Sequence, residues 1–423
     1  STKWFEAAVN SRQRVEETFD IVVVGNGLIG SAAARYLGED SNKVALLGMP
    51  EPLNWARHQG VFASHYDEGR ITRIIDQNPV WSELARRSIA EYSNIQNFSG
   101  INFFNPVGCL QGGSKGRMSG EVWKALNQAA ETNRLKPELL ESKEIHARYF
   151  FSQGHGQALL ETGTAGHINP RALIRAQNRM AVDQGVQIIE DSVLGLRNHD
   201  RCWLLKTEAG RSFTAKKVLL ATGAFTNGIL WEPLPMSIFP RTVLFARVTE
   251  EMKEYLGDMP CIIWDLEPGF DFVDMYLLPP ITYPDGNDYI KIGGDAPGSA
   301  TAENQQELKE WFRMGGSSHH AEGLKKVLLD LMPILSDMEF HHKPCVTTNT
   351  SSGYPLIDEL EDGSLFVACA GCGLAAKSSN ELGRLAATMV LGTIGSSEPE
   401  DSPLDFKIFR LPAETSAMSE ILN

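Results

Sequence analysis

The sequence has no excess of positive charge and no long apolar run, and each absence excludes a broad class of protein. Its 39 Lys and Arg residues are outnumbered by 53 Asp and Glu residues, which gives a net charge of -14. This balance disfavours binding to nucleic acid or to an anionic membrane surface. The apolar runs are well short of the ~20 residues that span a bilayer, and the polar stretch from Ser1 to Thr18 lacks a signal-peptide core. We therefore expect a cytoplasmic protein that binds neither nucleic acid nor membrane.

Cysteine is also sparse, and the few cysteines are far apart. Six of them are scattered over 423 residues, at positions 109, 202, 261, 345, 369 and 372. A disulfide-stapled secreted domain has a much denser spacing, so we expect a reducing compartment. At roughly 150 residues per domain, the length predicts two or three domains.

Two short motifs do not carry the chemistry that they first suggest. Gly108 to Lys115 ends in Gly-Ser-Lys rather than the Gly-Lys-Ser of a phosphate-binding loop, so we predict a turn there. His341 and His342 are adjacent, and neighbouring residues of a strand point to opposite faces, so the pair does not predict a metal site.

The strongest positive signal is an apolar strand that runs into three spaced glycines. Asp20 to Val24 is followed by Gly25, Gly27 and Gly30, and a helical apolar pattern starts at Leu28. The first glycine permits a tight turn, the second lets the backbone approach a pyrophosphate, and the third allows close helix–strand packing. The helix N-terminus then faces the anion. The motif therefore predicts a dinucleotide cofactor.

An acidic residue that binds the adenosine ribose is expected after the second strand, which is predicted over Val44 to Leu47. The usual position holds Gly48, and the next acid is Glu51, between two prolines that stiffen the loop. Glu51 is the candidate ribose ligand, and a solvated loop charge is the alternative interpretation.

Later segments add further strands to this picture. Lys216 to Ala224 and Ser364 to Gly371 are apolar strands that end in small residues and glycine, as is typical of a parallel sheet buried on both faces. One nucleotide-binding sheet assembled from distant segments is therefore predicted. The region from about 240 to 340 has strand-like runs separated by Pro, Gly and Asp, which predicts a mostly antiparallel sheet.

Taken in order, several motifs resemble the monomeric sarcosine oxidase group of the D-amino-acid-oxidase-like FAD enzymes. They are the glycine fingerprint, Ser64 to Ile75, Ala221-Thr222-Gly223, Ile290 to Gly293, and Cys345 to Asp358. The resemblance extends from about residue 20 to residue 390.

The resemblance implies an α/β fold with a split, Rossmann-like FAD-binding domain and a second, α+β substrate domain built on a mostly antiparallel sheet. We predict the FAD-binding domain at residues 19–98, 155–240 and 340–423, and the substrate domain at 99–154 and 241–339. It also implies oxidation of the C–N bond of a small amine or amino acid, with electrons passed to molecular oxygen as peroxide. A monomer or small homo-oligomer is expected.

Three residues receive chemical roles from the resemblance. Lys291, in the family's Lys-x-Gly strand, would lie against the flavin ring and stabilise the charge that develops on oxygen. Arg73 follows Thr72 as in the family's Thr-Arg-Ile-Ile run and would lie near the ring. Cys345 precedes Ile357-Asp358 at the family's spacing and would bind FAD covalently, with His341, His342 and Lys343 as neighbours that could favour its thiolate.

The chain departs from the family at the substrate carboxylate. Asp76 stands where relatives have an arginine that binds this carboxylate, so either Arg70 replaces that arginine or the substrate has no carboxylate there. Cys372 replaces a histidine between two glycines, and the carboxylate-binding lysine is displaced to Lys377. The resemblance also implies cofactor contacts from Leu28, Thr72, Val193, Thr222, Gly223, Gly371, Gly373 and Lys377.

Three other functions stay open at this point. An amine dehydrogenase would deliver electrons to an acceptor other than oxygen. An NAD-dependent enzyme is disfavoured, because a second Ala-Thr-Gly strand far downstream is a feature of the two-segment FAD fold. The third alternative is a flavin-bearing subunit of a larger complex, without turnover of its own.

Overall fold

The computed structural model describes residues 17–40, 42–114, 116–152, 156–393 and 404–412. In chain order, the strands in these ranges are β1 (Glu17–Val24), β2 (Val44–Leu47), β3 (Arg70–Thr72), β4 (Phe104–Asn105), β5 (Cys109–Ser114), β6 (Glu138–Glu141), β7 (Gly156–Glu161), β8 (Gly166–Ile168), β9 (Gln187–Ile189), β10 (Val193–His199), β11 (Cys202–Thr207), β12 (Ser212–Leu220), β13 (Ser237–Val248), β14 (Cys261–Asp265), β15 (Asp274–Thr282), β16 (Asp288–Asp295), β17 (Glu339–Asn349), β18 (Leu356–Glu361) and β19 (Leu365–Cys369).

The helices lie between these strands. In chain order, the α-helices of the described ranges are α1 (Leu28–Gly38), α2 (Pro79–Ala90), α3 (Tyr92–Ser99), α4 (Gly120–Thr132), α5 (Ser142–Tyr149), α6 (Pro170–Asp183), α7 (Glu250–Leu256), α8 (Gln305–Met314), α9 (Ser318–Leu331) and α10 (Ala375–Leu391). Within the described ranges, no helix is long and apolar enough to cross a membrane.

The first sheet is assembled from distant parts of the chain. Its order is β10-β11-β12-β1-β2-β9, and β19 pairs with β12 on one side and β18 on the other. β1 is parallel to β2 and β12, and β12 is parallel to β19. Every residue of β2 and β19 is buried, as expected for strands covered on both faces. The predicted α/β fold with a split nucleotide-binding sheet is confirmed.

Two helices cover one face of this sheet by close packing. An added Cβ at Gly383, on α10, would lie 2.5 Å from the Cβ of Ala32 on α1, so a glycine is needed for the helices to come this near. Both helices contribute to one apolar core with β1 and β2. The last of these helices, α10, ends at Gly392, which caps it in the left-handed conformation, with φ of +74°.

The second sheet has the order β17-β13-β16-β15-β14-β5-β7-β6. All neighbouring pairs are antiparallel except β14 and β5. The predicted mostly antiparallel sheet is therefore confirmed. Two strands of this sheet, β7 beside β5 and β17 beside β13, fall almost entirely within the segments predicted for the FAD-binding domain. The division into domains stays a prediction.

The two faces of the second sheet have different environments. Ile290 and Ile292 of β16 point into a core that they share with Leu324 and Leu328 of α9. Because side chains alternate along a strand, Lys291 lies on the opposite face. The packing of α9 thus determines which face of the sheet is left for polar groups.

One short motif has a structure that differs from the prediction. The turn predicted over Gly108 to Lys115 is wrong for its described part, because β5 (Cys109–Ser114) is a buried strand between β14 and β7, and Lys115 lies outside the described residues. Ser114 is also the central residue of a Gly-x-Ser-x-Gly spacing that runs from Gly112 to Gly116, the spacing of a hydrolase nucleophile elbow. Ser114 is 1% exposed and accepts a hydrogen bond from Trp264 Nε1 at 3.3 Å, so it has the position of a core residue.

Candidate active site

The glycine motif forms a tight cradle at the carboxyl end of β1. Gly25 has φ of +109°, and an added Cβ there would lie 2.3 Å from the carbonyl oxygen of Ala221, which follows β12. An added Cβ at Gly30 would lie 1.8 Å from the carbonyl oxygen of Gly25. Both positions therefore require glycine, and both contacts close the turn between β1 and α1.

The cradle has room and unpartnered polar groups on its outer side. At Gly27 the nearest atom to an added Cβ is Nδ1 of His65, at 3.8 Å, so a ligand can approach the backbone there. Leu28 begins α1, whose N-terminal amides face the same space. Asn26 Oδ1 is buried and has no partner within the described residues. This donor and acceptor set fits the pyrophosphate and ribose of FAD.

Two further turns reach the same edge of the sheet, because β1, β12 and β19 are parallel. Thr222 and Gly223 follow β12, with Gly223 at φ of +55° and Thr222 Oγ1 3.0 Å from Thr226 Oγ1. After β19, Gly371 and Gly373 flank Cys372, which itself has φ of +51°. A non-glycine residue in the left-handed region marks a constrained backbone, which is frequent at ligand sites. The sheet thus brings the predicted cofactor contacts from three distant segments together.

Glu51 is ion-paired rather than solvated. Its carboxylate accepts two hydrogen bonds from Arg171, from Nε at 2.7 Å and from Nη2 at 2.8 Å, and Arg171 also binds Glu68 at 2.8 Å. This geometry fixes the loop after β2 to the start of α6. Val193 is buried at the first position of β10. The cofactor roles of Glu51 and Val193 stay predictions.

The first charged cluster of the site surrounds Lys291, which is 1% exposed. Its Nζ donates to Asp67 Oδ2 at 2.7 Å and also to the carbonyl oxygen of Gly69. Tyr283 donates to Asp67 Oδ1 at 2.6 Å, and Arg70 donates to Asp67 Oδ2. A single buried carboxylate therefore binds two cations and a phenol.

The charges in this cluster favour the ionised form of the Asp67 carboxylate. Burial opposes ionisation of Asp67, but Lys291 and Arg70 hold its pKa well below the usual range. Burial lowers the pKa of Lys291 to about 8, with Arg70 acting in the same direction and Asp67 opposing it. The Lys-x-Gly pattern has a packing reason as well. An added Cβ at Gly293 would lie 2.4 Å from the Tyr276 ring, which is 5.9 Å from Lys291 Nζ.

The second charged cluster joins Arg73, Asp76 and Lys377. Lys377 Nζ is 2.5 Å and Arg73 Nη2 is 3.2 Å from Asp76 Oδ2, and Arg73 Nε also donates to Gln111 at 2.7 Å. Burial opposes ionisation of Asp76, but Lys377 and Arg73 lower its pKa to about 2. Burial and Arg73 lower the pKa of Lys377 to about 8, against the effect of Asp76. Thr72 is fully buried beside this cluster in sequence, with Oγ1 3.1 Å from Tyr92 OH.

Cys345 lies close to the first cluster. Its Sγ is 3.8 Å from Arg70 Nη2, and Cys345, Asp67 and Arg70 line one cavity together with Tyr66 and Phe245. Of the predicted neighbours, Lys343 lines this cavity as well, and His341 stacks on Phe245 with ring centroids 4.9 Å apart. Arg70 is thus a cation in contact with this thiol, whereas the sequence analysis predicted it as a ligand of the substrate carboxylate.

Sequence reasoning did not single out four buried polar residues of this region. Asp67 and Tyr283 belong to the Lys291 cluster. Glu161, 1% exposed, accepts hydrogen bonds from the backbone amides of Ile74 and Ile75 at 2.9 and 2.8 Å. His167 has a buried Nδ1 without a partner in the described residues, and burial and Lys291 lower its pKa to about 4. Asp67 lies within the motif from Ser64 to Ile75, but its partner Lys291 is distant in sequence. The motif alone therefore did not predict the ion pair.

The chain is similar to proteins of known sequence and of known structure, and two of the matches cover more than 90% of it. It is 24% identical over 392 residues to monomeric sarcosine oxidase of a Bacillus species (strain NS-129), covering 91% of this chain and 95% of the relative. It is 25% identical over 273 residues to monomeric sarcosine oxidase of Streptomyces avermitilis, covering 63% and 68%. Among solved structures it is similar to NikD, described as an unusual amino acid oxidase essential for nikkomycin biosynthesis. That match has a TM-score of 0.75 and 18% identity, and covers 93% of this chain and 98% of NikD.

A glycine cradle at the carboxyl ends of parallel strands, beside a second and mostly antiparallel sheet, fits the class of FAD-dependent oxidoreductases. The chain belongs to the FAD dependent oxidoreductase family, abbreviated DAO, whose profile matches residues 20–389. The predicted resemblance to the sarcosine oxidase group of this family is confirmed.

Proposed function

We propose that this protein oxidises the C–N bond of a small amine and passes the electrons to molecular oxygen. Bound FAD would accept the hydride lost from the carbon next to the nitrogen. The amine loses two electrons and two protons and becomes an imine, and oxygen gains them and becomes hydrogen peroxide. Water then adds to the imine and releases a carbonyl compound and the remaining amine. Relatives named as sarcosine oxidases support an amine substrate.

The observation that carries this proposal is the buried ammonium group of Lys291. It lies on the face of the second sheet opposite the α9 core and is fixed by Asp67 and the carbonyl oxygen of Gly69. A fixed cation in a desolvated site stabilises negative charge that develops on oxygen without reorganising during the reaction. Arg73 is fixed in the same way by Asp76 and Gln111, and nearby cations keep an amine substrate neutral.

The cofactor would be held by the cradle and by a covalent bond. The turn that Gly25 and Gly30 close would bind the pyrophosphate at Gly27, with further contacts from the turns after β12 and β19. Cys345 would attach the flavin through its sulfur, because the thiolate is the nucleophile of such a reaction and Arg70 is a cation in contact with it. Glu51 would bind the ribose through the carboxylate that Arg171 orients.

The second charged cluster favours a substrate without a carboxylate at this position. Arg73 and Lys377 are both bound to Asp76, a carboxylate supplied by the chain itself. Arg70, the other predicted ligand for a substrate carboxylate, is bound to Asp67. A substrate carboxylate would have to displace one of these buried ion pairs, so an amine without an α-carboxylate is the better ligand.

The first experiment tests the cofactor. After denaturation and precipitation of the purified chain, we expect the yellow colour to stay with the protein, and we expect Cys345→Ala to release it into the supernatant. Cys202→Ala, on β11 of the first sheet, is the matched control and should retain the colour. A purified protein that is colourless and cannot be reconstituted with FAD would overturn the proposal as a whole.

The second experiment tests the reaction. Pairs of secondary amines with and without an α-carboxylate are incubated with the enzyme in air, and peroxide is measured by a peroxidase-coupled assay. We expect peroxide, and a lower KM for the member of each pair without the carboxylate. Bleaching of the flavin without peroxide would favour a dehydrogenase, and the absence of bleaching with every amine would favour a flavin-bearing subunit.

A further inference from the structure

Asp67 has an unusually complete set of partners for a buried carboxylate. It is 4% exposed and lies in the loop before β3. Oδ1 accepts hydrogen bonds from Tyr283 OH at 2.6 Å and from the backbone amide of Glu68 at 2.8 Å. Oδ2 accepts from Lys291 Nζ at 2.7 Å and from Arg70. The carboxylate is thus held in one orientation from four directions.

The groups around Lys291 come from several elements, and their effects on its charge oppose one another. Burial and the guanidinium of Arg70 on β3 act against an ammonium at this position. The carboxylate of Asp67 acts in its favour, as does Cys345 on β17 when it is a thiolate. The other titratable groups that face Lys291 are neutral side chains of β8, β14 and β15, namely His167, Cys261 and Tyr276. Asp67 is the carboxylate in contact with Lys291.

Building on the proposed oxidase function, we propose that Asp67 is a positioning residue that keeps Lys291 protonated and aimed for the reaction of the reduced enzyme with oxygen. Its contact at 2.7 Å supplies the opposite charge, and Tyr283 and the Glu68 amide fix the carboxylate that supplies it. Without that anion, a lysine buried to 1% exposure beside Arg70 would lose its proton.

The same geometry argues against a role for Asp67 as the base of the reaction. A carboxylate that binds two cations and a phenol has its pKa well below the usual range. Such a group is a weak proton acceptor at neutral pH, where an efficient general base has a pKa near the working pH. Asp67 therefore acts through Lys291.

A pH series on the reduced enzyme tests this proposal without an amine substrate. The full chain with its flavin is reduced with dithionite under nitrogen and mixed with oxygenated buffer between pH 6 and pH 9, and flavin absorbance is followed. An opposite charge at this distance shifts a pKa by roughly 1–3 units. If the pKa of Lys291 falls by about 1–2 units, Asp67→Asn should reoxidise roughly 5- to 50-fold more slowly than the unaltered enzyme at pH 8. At pH 6 the two rates should agree within about 2-fold.

Two variants make the pH series specific to the charge. Asp67→Glu keeps the anion and should retain the pH midpoint of the unaltered enzyme. Lys291→Met should be slow at every pH, because the cation is absent. A pH-independent loss in Asp67→Asn, or an unchanged profile, overturns the proposal.

Unfolding of the full chain in urea gives a second readout that does not depend on activity. At pH 7, Asp67→Asn should lower the urea midpoint, because it leaves Arg70 without its anion and makes Lys291 give up its proton on folding. Adding Lys291→Met should recover part of this loss, since no proton then has to be released at position 291. Strictly additive losses would contradict a direct charge coupling between the two residues.

The outcomes also separate this proposal from the proposed function. If Lys291→Met reoxidises as fast as the unaltered enzyme, the oxygen role of Lys291 is wrong and the proposed function loses its carrying observation. If Lys291→Met is slow but Asp67→Asn behaves like the unaltered enzyme at every pH, the oxidase function stands and the role of Asp67 is wrong.

Discussion

Replacement of Asp76 by asparagine removes the anion that two buried cations share. Lys377 Nζ lies 2.5 Å and Arg73 Nη2 lies 3.2 Å from Asp76 Oδ2, and the side chains of Asp76 and Lys377 are 5% and 2% exposed. Asparagine has nearly the same shape but no charge. The variant therefore tests the electrostatic contribution of the cluster with little change in packing.

The size of the effect follows from the pKa of Asp76. A decrease from 3.8 to about 2 in the folded state corresponds to roughly 2 kcal/mol, at 1.36 kcal/mol per unit. Breaking a buried ion pair by removing one partner costs about 3–5 kcal/mol, because the remaining charge is left uncompensated. We therefore expect Asp76→Asn to lower the free energy of unfolding by about 2–5 kcal/mol at pH 7.

Urea titrations followed by circular dichroism measure this difference. Asp200→Asn, a fully exposed loop position, is the matched control and should change stability by less than about 0.5 kcal/mol. The double variant Asp76→Asn/Lys377→Met should be more stable than Asp76→Asn, because the unpaired ammonium is gone. Since the folded-state pKa of Asp76 is depressed, its contribution is complete above pH 3.8 and is lost as the pH falls through about 2. The difference in free energy of unfolding between the unaltered protein and Asp76→Asn should therefore decrease as the pH falls from 3.8 to about 2.

An unaltered urea midpoint in Asp76→Asn, with no recovery in the double variant, would refute this reasoning. The two cations would then be compensated by other groups. The inference that Asp76 takes the place of a substrate carboxylate would lose its physical basis with it.

Two further variants test the cradle and the segment that carries Arg73. Gly30→Ala places a Cβ 1.8 Å from the carbonyl oxygen of Gly25, so we expect loss of flavin retention and a decrease in stability of about 1–3 kcal/mol. Gly120→Ala is the control, because an added Cβ there has no neighbour within 4 Å, and it should retain flavin and stability. Retention of flavin by Gly30→Ala would contradict the cradle. Glu161→Gln replaces an acceptor of two backbone hydrogen bonds by a group that also donates, so the free energy of unfolding in urea should fall by about 1.5–3 kcal/mol. The exposed Glu131→Gln is the control and should change little. Equal urea midpoints would show that the carboxylate does not hold Ile74 and Ile75.

Local pattern predicted most of the fold correctly because each pattern reports on one strand or one turn. Asp20 to Gly30, Lys216 to Ala224 and Ser364 to Gly371 each contain an apolar strand followed by a turn with glycine, and parallel pairing brings the carboxyl ends of these strands to one edge. The prediction for Gly108 to Lys115 was wrong because its three glycines and its serine are typical of turns. In the structure, these small residues are needed where strands β5 and β7 approach closely, since an added Cβ at Gly112 would lie 2.3 Å from the carbonyl oxygen of Gln157.

The charged clusters could not be predicted in the same way. Lys291 and Asp67 are 224 positions apart, and Lys377 and Asp76 are 301 positions apart. The resemblance to the family implied that Asp76 stands where relatives have an arginine, but the pairing of Asp76 with Arg73 and Lys377 depends on how α10 packs beside the loop after β3. A pattern of apolar residues specifies which face of an element is buried, and it contains no information about which distant charges meet there.

What the amino-acid sequence determined by itself is the glycine cradle after β1. A tight turn, the approach of a phosphate and a close helix contact each need a glycine, and the three glycines lie within a few residues of one another. What only the tertiary structure decided is the state of the charges. The burial of Lys291 and Lys377, and the two carboxylates that compensate them, arise where separate sheets and helices exclude water, and the free energy of a charge depends on that exclusion far more than on its neighbours in the chain.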